Sequence, residues 1–93
     1  MFTCTLFMYG LDPEITRLRS VDLELNDGAN IVEVIAALKE KVPTLEGPVI
    51  YPGENRLGEG YKFNVNGHFY FDGMDFELHS GDRIALLTPA TGG

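Results

Sequence analysis

Cysteine is nearly absent from this chain. Cys4 stands alone, which excludes an intrachain disulfide framework and a cysteine-based metal cluster. Its place in an alternating apolar segment reads as a buried structural thiol rather than a reactive one. Basic residues are also scarce: 7 lysines and arginines face 14 aspartates and glutamates, for a formal charge of -7, with the signs scattered and no basic patch. This balance disfavours nucleic-acid backbones and anionic membranes and favours a partner with a positive surface. No apolar run approaches the roughly 20 residues that span a bilayer. The apolar residues 1–9 lack a basic leader and continue into a turn, so no secretory signal is read and the cytoplasm is the expected location.

Chemistry-bearing constellations are equally thin. His68 and His79 fall in or beside turns without the Asp/His/Cys spacing of a metal site. Ser80 has no nucleophile motif around it, and Gly58 and Gly60 do not form a phosphate loop. Phe69, Tyr70 and Phe71 lack the interleaved basic residues of a nucleic-acid platform and read as core and edge packing. No cofactor or metal site is expected.

What remains is the pattern of a small folded domain. A chain of 93 residues, 44% hydrophobic and 23% charged, has the composition of one globular unit with a modest core. Phe2 to Tyr9 alternates, with Cys4, Leu6 and Met8 on one face and Thr3, Thr5, Phe7 and Tyr9 on the other. Gly10 to Pro13 breaks it, and Val21, Leu23 and Leu25 alternate in a second strand that completes a hairpin. Asn30 caps a helix with Glu33 at its third position. Ile31, Val34, Ile35, Leu38 and Val42 form its apolar stripe, and Pro43 ends it near Lys41 or Val42. Thr44 to Gly60 reads as an irregular connection, with a short strand around Val49–Tyr51 as an option. Phe63 and Val65 point inward from a third strand, and Asn66-Gly67 turns the chain into His68–Phe71. Phe76 and Leu78 anchor the next segment. His79 to Asp82 turns into a last strand whose Ile84 and Leu86 enter the core. One helix across a mixed sheet makes an α+β roll, although composition alone leaves several topologies open.

The chain then closes on Thr88-Pro-Ala-Thr-Gly-Gly93. Gly92-Gly93 has no side chain to pack and a high entropic cost of ordering, so it suits a thin thread entering a narrow tunnel; a frayed end is the blander reading. The run Ser80-Gly-Asp-Arg-Ile-Ala-Leu-Leu-Thr-Pro-Ala-Thr-Gly-Gly93 resembles the C-terminus of the ThiS/MoaD family of ubiquitin-like sulfur carriers. Asp27 to Leu38 resembles the family's turn and helix opening, and Val65-Asn66-Gly67 its hairpin. The single Pro89 followed by Ala90-Thr91 is similar to the molybdopterin synthase small subunit.

The resemblance implies a β-grasp roll of four or five strands on one main helix, spanning residues 1–93 with a flexible tail at 88–93. In it, the first and last strands lie parallel at the sheet centre. It also implies that a ubiquitin-activating-type enzyme uses ATP to adenylate the Gly93 carboxylate. A sulfur donor protein then converts Gly93 to a thiocarboxylate, and a synthase such as the molybdopterin synthase large subunit accepts the sulfur. Gly92 would supply the minimum width beside the reacting carbon. Thr88, Pro89, Ala90 and Thr91 would contact the partner along the tail, with Leu87 and Phe7 forming an outward apolar patch with Tyr9. Phe7 serves equally well in edge packing. Arg83 and Lys62 read first as solvated strand charges and second as contacts for an acidic partner. Conjugation of Gly93 to lysines, and a noncovalent binding domain with an incidental diglycine, are the competing functions.

Overall fold

The computed structural model describes residues 1–71 and 73–89. The first alternation becomes β1 (Phe2–Tyr9), which buries Cys4, Leu6 and Met8 and exposes Thr3, Thr5, Phe7 and Tyr9. Antiparallel to it runs β2 (Ser20–Leu25), with Leu23 opposite Cys4 and Val21 opposite Leu6. Helix α1 (Ile31–Lys41) starts where Asn30 Oδ1 accepts the Glu33 N–H at 2.9 Å. Asp75 Oδ1 accepts the Ile31 N–H at 3.0 Å, so a distant side chain satisfies a second orphan donor of the first turn. Pro43 has no N–H to continue the helix and instead opens a short 3-10 turn, Pro43–Leu45.

Three more strands follow. In the hairpin of β3 (Lys62–Val65) and β4 (His68–Tyr70), Asn66 and Gly67 take φ 53 and 91, the positive values that a two-residue turn needs. β4 stops at Tyr70, one residue short of the alternation read through Phe71. The last strand, β5 (Ile84–Leu87), inserts between β1 and β3 and gives the order β2-β1-β5-β3-β4. It is parallel to β1 and antiparallel to β3. A parallel pair needs a crossover, and α1 lies on that crossover. Val34, Ile35 and Leu38 of α1 share one core with Leu6, Leu23, Phe63, Ile84 and Leu86. The sheet therefore has one covered face and one open face.

Two expectations change. The segment from Thr44 to Gly60 is no mere connection, because Leu45, Val49, Ile50 and Leu57 are all buried. It forms isolated bridges from Ile50 to Glu46 and Leu57 in place of a strand. Turns fold it back on itself, with the Gly58 N–H donating to Val49 O at 2.6 Å and the Gly53 N–H to Glu46 Oε2 at 2.7 Å. Lys39 ties this lobe to α1 through Glu54 O at 3.1 Å and Glu46 at 3.7 Å. The second change concerns Lys62, which is not a solvated strand charge: the residue is only 5% exposed.

Leu6 sits at the centre of the core, fully buried and paired with Ile84 across the parallel junction. Leu6→Ala should cost about 3 kcal/mol through lost burial and the cavity left behind. Urea denaturation should show a lower midpoint with an unchanged slope.

Candidate docking face and tail exit

The open face of the sheet carries the residues that sequence placed outward. Backbone register aligns them in two rows across the strands. Phe7, Ala85, Asn64 and Phe69 make one row; Tyr9, Leu87 and Lys62 make the other. Phe7 is 44% exposed and Tyr9 51%, while Leu87 and Ala85 are half-buried. The small side chain of Ala85 leaves a shallow depression bordered by Phe7, Tyr9, Asn64 and Arg83. Phe69 and Phe71 are each 47% exposed, so this aromatic pair extends the open face instead of filling the core. Tyr70 does pack inward, its ring edge-on to Phe76 at 5.2 Å.

Lys62 links the two groups. Its Nζ lies 5.7 Å from the Phe69 ring centroid and 5.6 Å from that of Phe71. The aliphatic stem is covered while the ammonium rests against aromatic faces, whose quadrupole attracts a cation. This arrangement puts a fixed positive charge beside Leu87 in a chain of net charge -7. The alternation of Tyr61–Val65 already placed Lys62 outward, and the Asn66-Gly67 turn put Phe69 opposite Asn64. Joining those two signals would have located the pair in sequence.

The tail departs from this face. Of the residues expected in a flexible segment from 88 to 93, Thr88 is only 5% exposed, so packing holds the chain at least that far. Pro89 lies against Gly60: a methyl group built on Gly60 would come within 2.7 Å of Pro89 Cγ. In the sequence Gly60 was weighed only as part of a phosphate loop, and no local pattern there signals the contact. Ala90, Thr91, Gly92 and Gly93, which carry the expected chemistry, lie outside the described residues.

At the opposite end of β5, a polar network closes the turns. Asp82 Oδ2 accepts the His79 N–H at 2.8 Å, and Asn66 Nδ2 donates to Asp82 Oδ1 at 3.0 Å. These bonds, first that from His79, hold the Asp82 carboxyl below its usual range. His79 Nδ1 meets Asp27 Oδ1 at 2.8 Å, and this hydrogen bond together with the carboxylate charge raises the imidazole above its ordinary value. Cys4 is buried, with its thiol raised first by desolvation and then by Asp82 and Asp22, so it is held in the unreactive protonated form. Among the described residues, no group of acidic, histidine or cysteine side chains is arranged to hold a metal ion, and no helix is long and apolar enough to cross a membrane.

A mixed five-stranded sheet on one helix, with parallel first and last strands at its centre, defines a ubiquitin-like β-grasp protein. The ThiS family model matches residues 9–93, and the chain belongs to that family. Among solved structures it is similar to SAMP1 from Haloferax volcanii, at 23% identity and a TM-score of 0.78, covering 99% of this chain and 100% of that one. A protein described as a molybdopterin converting factor, subunit 1, from Pyrococcus furiosus is 18% identical with a TM-score of 0.70, over 96% of this chain and 99% of its own. The small archaeal modifier protein 1 of Methanosarcina acetivorans is 20% identical with a TM-score of 0.69, over 98% and 96%. Comparison with curated proteins gives no match.

The His79–Asp27 contact yields a pH prediction with a definite sign. A histidine whose folded value is raised stabilises the fold below its unfolded value, and that contribution is lost as pH rises through the folded value. Asp27→Asn should lower the His79 midpoint in an NMR titration. It should also reduce the loss of stability that the unsubstituted protein shows as pH rises above the ordinary histidine range.

Proposed function

We propose that this chain is a sulfur carrier whose Gly93 carboxylate is activated and converted to a thiocarboxylate for cofactor biosynthesis, with a molybdopterin-type acceptor as the favoured route. The observation that carries the reading is the family match, which runs through the diglycine to residue 93. A carboxylate is a poor electrophile until one oxygen becomes a good leaving group. A partner adenylating enzyme supplies this: a Gly93 oxygen attacks the α-phosphorus of ATP, pyrophosphate leaves, and an acyl-adenylate forms. A hydrosulfide equivalent from a sulfur donor protein then attacks the acyl carbon and AMP leaves. The thiocarboxylate sulfur attacks an electrophilic carbon of a substrate held by a synthase subunit and displaces a leaving group. Water then cleaves the acyl–sulfur bond, which leaves the sulfur on the substrate and restores the Gly93 carboxylate.

In this scheme the carrier contributes presentation and docking, and the enzyme contributes ATP chemistry. Phe7, Tyr9 and Leu87 form the docking patch, and residues 90–93 reach the enzyme's catalytic centre. Gly92 and Gly93 permit the narrow approach and the unusual dihedrals that a tunnel demands.

One finding favours a second reading. Three of the structural relatives are named SAMP1 or small archaeal modifier protein 1, so transfer of activated Gly93 to a lysine amine competes with sulfur transfer. Both begin with adenylation and part company only at the nucleophile.

Intact mass spectrometry separates them. Untagged protein incubated with extract of its own cells, ATP and cysteine as sulfur source should gain the mass of one oxygen-to-sulfur exchange, and deletion of Gly93 should abolish the gain. Isopeptide-linked Gly93 on lysines without that species would favour the modifier; neither product would support a noncovalent domain. Phe7→Asp should raise the KM of activation about tenfold with little change in kcat, since a lost docking contact weakens ground and transition states alike.

A further inference from the structure

The β3–β5 ladder ends with Lys62 opposite Leu87. Beyond it the Tyr61 N–H turns back to Gly58 O at 3.2 Å, yet extending the same register by two residues brings Gly60 level with Pro89. Thr88 is buried, so the chain has not yet left the fold at that point. Backbone pairing has already ended at Leu87, and Pro89 has no N–H with which to resume it. A ring contact takes its place. A Cβ built on Gly60 would meet Pro89 Cγ at 2.7 Å, Cβ at 3.1 Å and Cα at 3.9 Å, so the ring occupies the space any side chain at 60 would need.

Six other glycines of positive φ do not share this property. A Cβ on Gly28, Gly47, Gly53, Gly67, Gly73 or Gly81 would meet nothing within 4 Å. They answer to backbone conformation alone. Gly60, at φ +83, answers to conformation and to close approach together.

We infer that Gly60 is a positioning residue for the reactive end of the chain: lacking a side chain, it forms the seat on which the Pro89 ring rests, and that seat sets where and in which direction residues 90–93 leave the domain. The inference deepens the proposed function and rests on it. Proline fixes its own φ, so seating the ring orients the peptide that follows. A seated exit fixes the chain through Pro89 before the tail meets a partner, and pre-ordering of this kind lowers the entropic cost of binding. An unseated Pro89 would swing the Gly93 carboxyl through a wider volume while leaving the docking patch of Phe7, Tyr9 and Leu87 untouched.

The test compares Gly60→Ala, Gly53→Ala, Pro89→Gly and the Gly60→Ala/Pro89→Gly double variant of the full chain. Gly53→Ala carries the same backbone strain in open space and is the control for stability; both alanine variants should melt at similarly reduced temperatures. In NMR spectra, the unsubstituted protein should show a cross-peak between Gly60 Hα and the Pro89 ring. Gly60→Ala should lose the ring contact and raise fast backbone motion at Ala90 and Thr91, and Gly53→Ala should change neither. With cell extract, ATP and cysteine, thiocarboxylate formation should fall about tenfold or more in Gly60→Ala, as misplacement of a reacting group does, and stay near normal in Gly53→Ala. On the Pro89→Gly background, Gly60→Ala should add almost nothing, the non-additivity expected of two halves of one contact.

The cross-peak missing from the unsubstituted protein would overturn the seat. A displaced ring with an unchanged rate would overturn its role. If the unsubstituted protein forms no activated product at all, the proposed function falls and the positioning role falls with it, while the NMR result still decides whether the seat exists.

Discussion

The pairing of β1 with β5 is the contact on which the molecule depends. It joins the beginning of the chain to its end, Leu6 beside Ile84 and Met8 beside Leu86, in the middle of the sheet. Such a contact has a high entropic cost of closure, because almost the whole chain lies between its partners. Burial offsets that cost: Leu6, Met8, Ile84 and Leu86 are all shielded by α1 and the lobe that follows it. Parallel geometry also dictates the crossover, and so explains why a single helix suffices. With β2 outside β1 and the β3–β4 hairpin outside β5, each remaining strand is held by one already placed.

The same pairing decides what the open face presents. Because β1 and β5 alternate in register, Phe7 and Tyr9 come out beside Ala85 and Leu87. Apolar side chains thus line the strand that feeds the tail. Lys62 adds a cation beside that surface, its ammonium held against Phe69 and Phe71. In the proposed function, docking surface and tail exit are two ends of one structural feature, so a partner that recognised the first would already be aligned with the second.

Much of this was legible in the residues. Partial alternation in Phe2–Tyr9 and clear alternation in Val21–Leu25 mark the buried face, since strand side chains point alternately to the two sides. The helix announces itself by an asparagine cap, an apolar stripe and a terminating proline. The parallel centre was not legible from periodicity, which says which face is buried but nothing of which strand lies beside which; the family resemblance supplied it. Leu45, Val49, Ile50 and Leu57 escaped because they sit among glycines and prolines without a regular period, and only the folded turns bring them to the core. Lys62 was misread because charge ordinarily signals solvent, and the two rings that shelter its stem come from the next strand and just beyond. The contact of Gly60 with Pro89 has no local signature, being a product of register between two strands distant in sequence.

The central claim is that Gly93 is an activated end, common to sulfur transfer and to protein modification. ATP–pyrophosphate exchange tests it most directly, using the protein fraction of its own cells retained on the immobilised chain. Exchange that depends on added carrier and disappears when Gly93 is removed is the predicted result, since attack of the Gly93 carboxylate on ATP releases pyrophosphate reversibly. Exchange indifferent to the carrier, or equally supported by the shortened chain, would contradict the account.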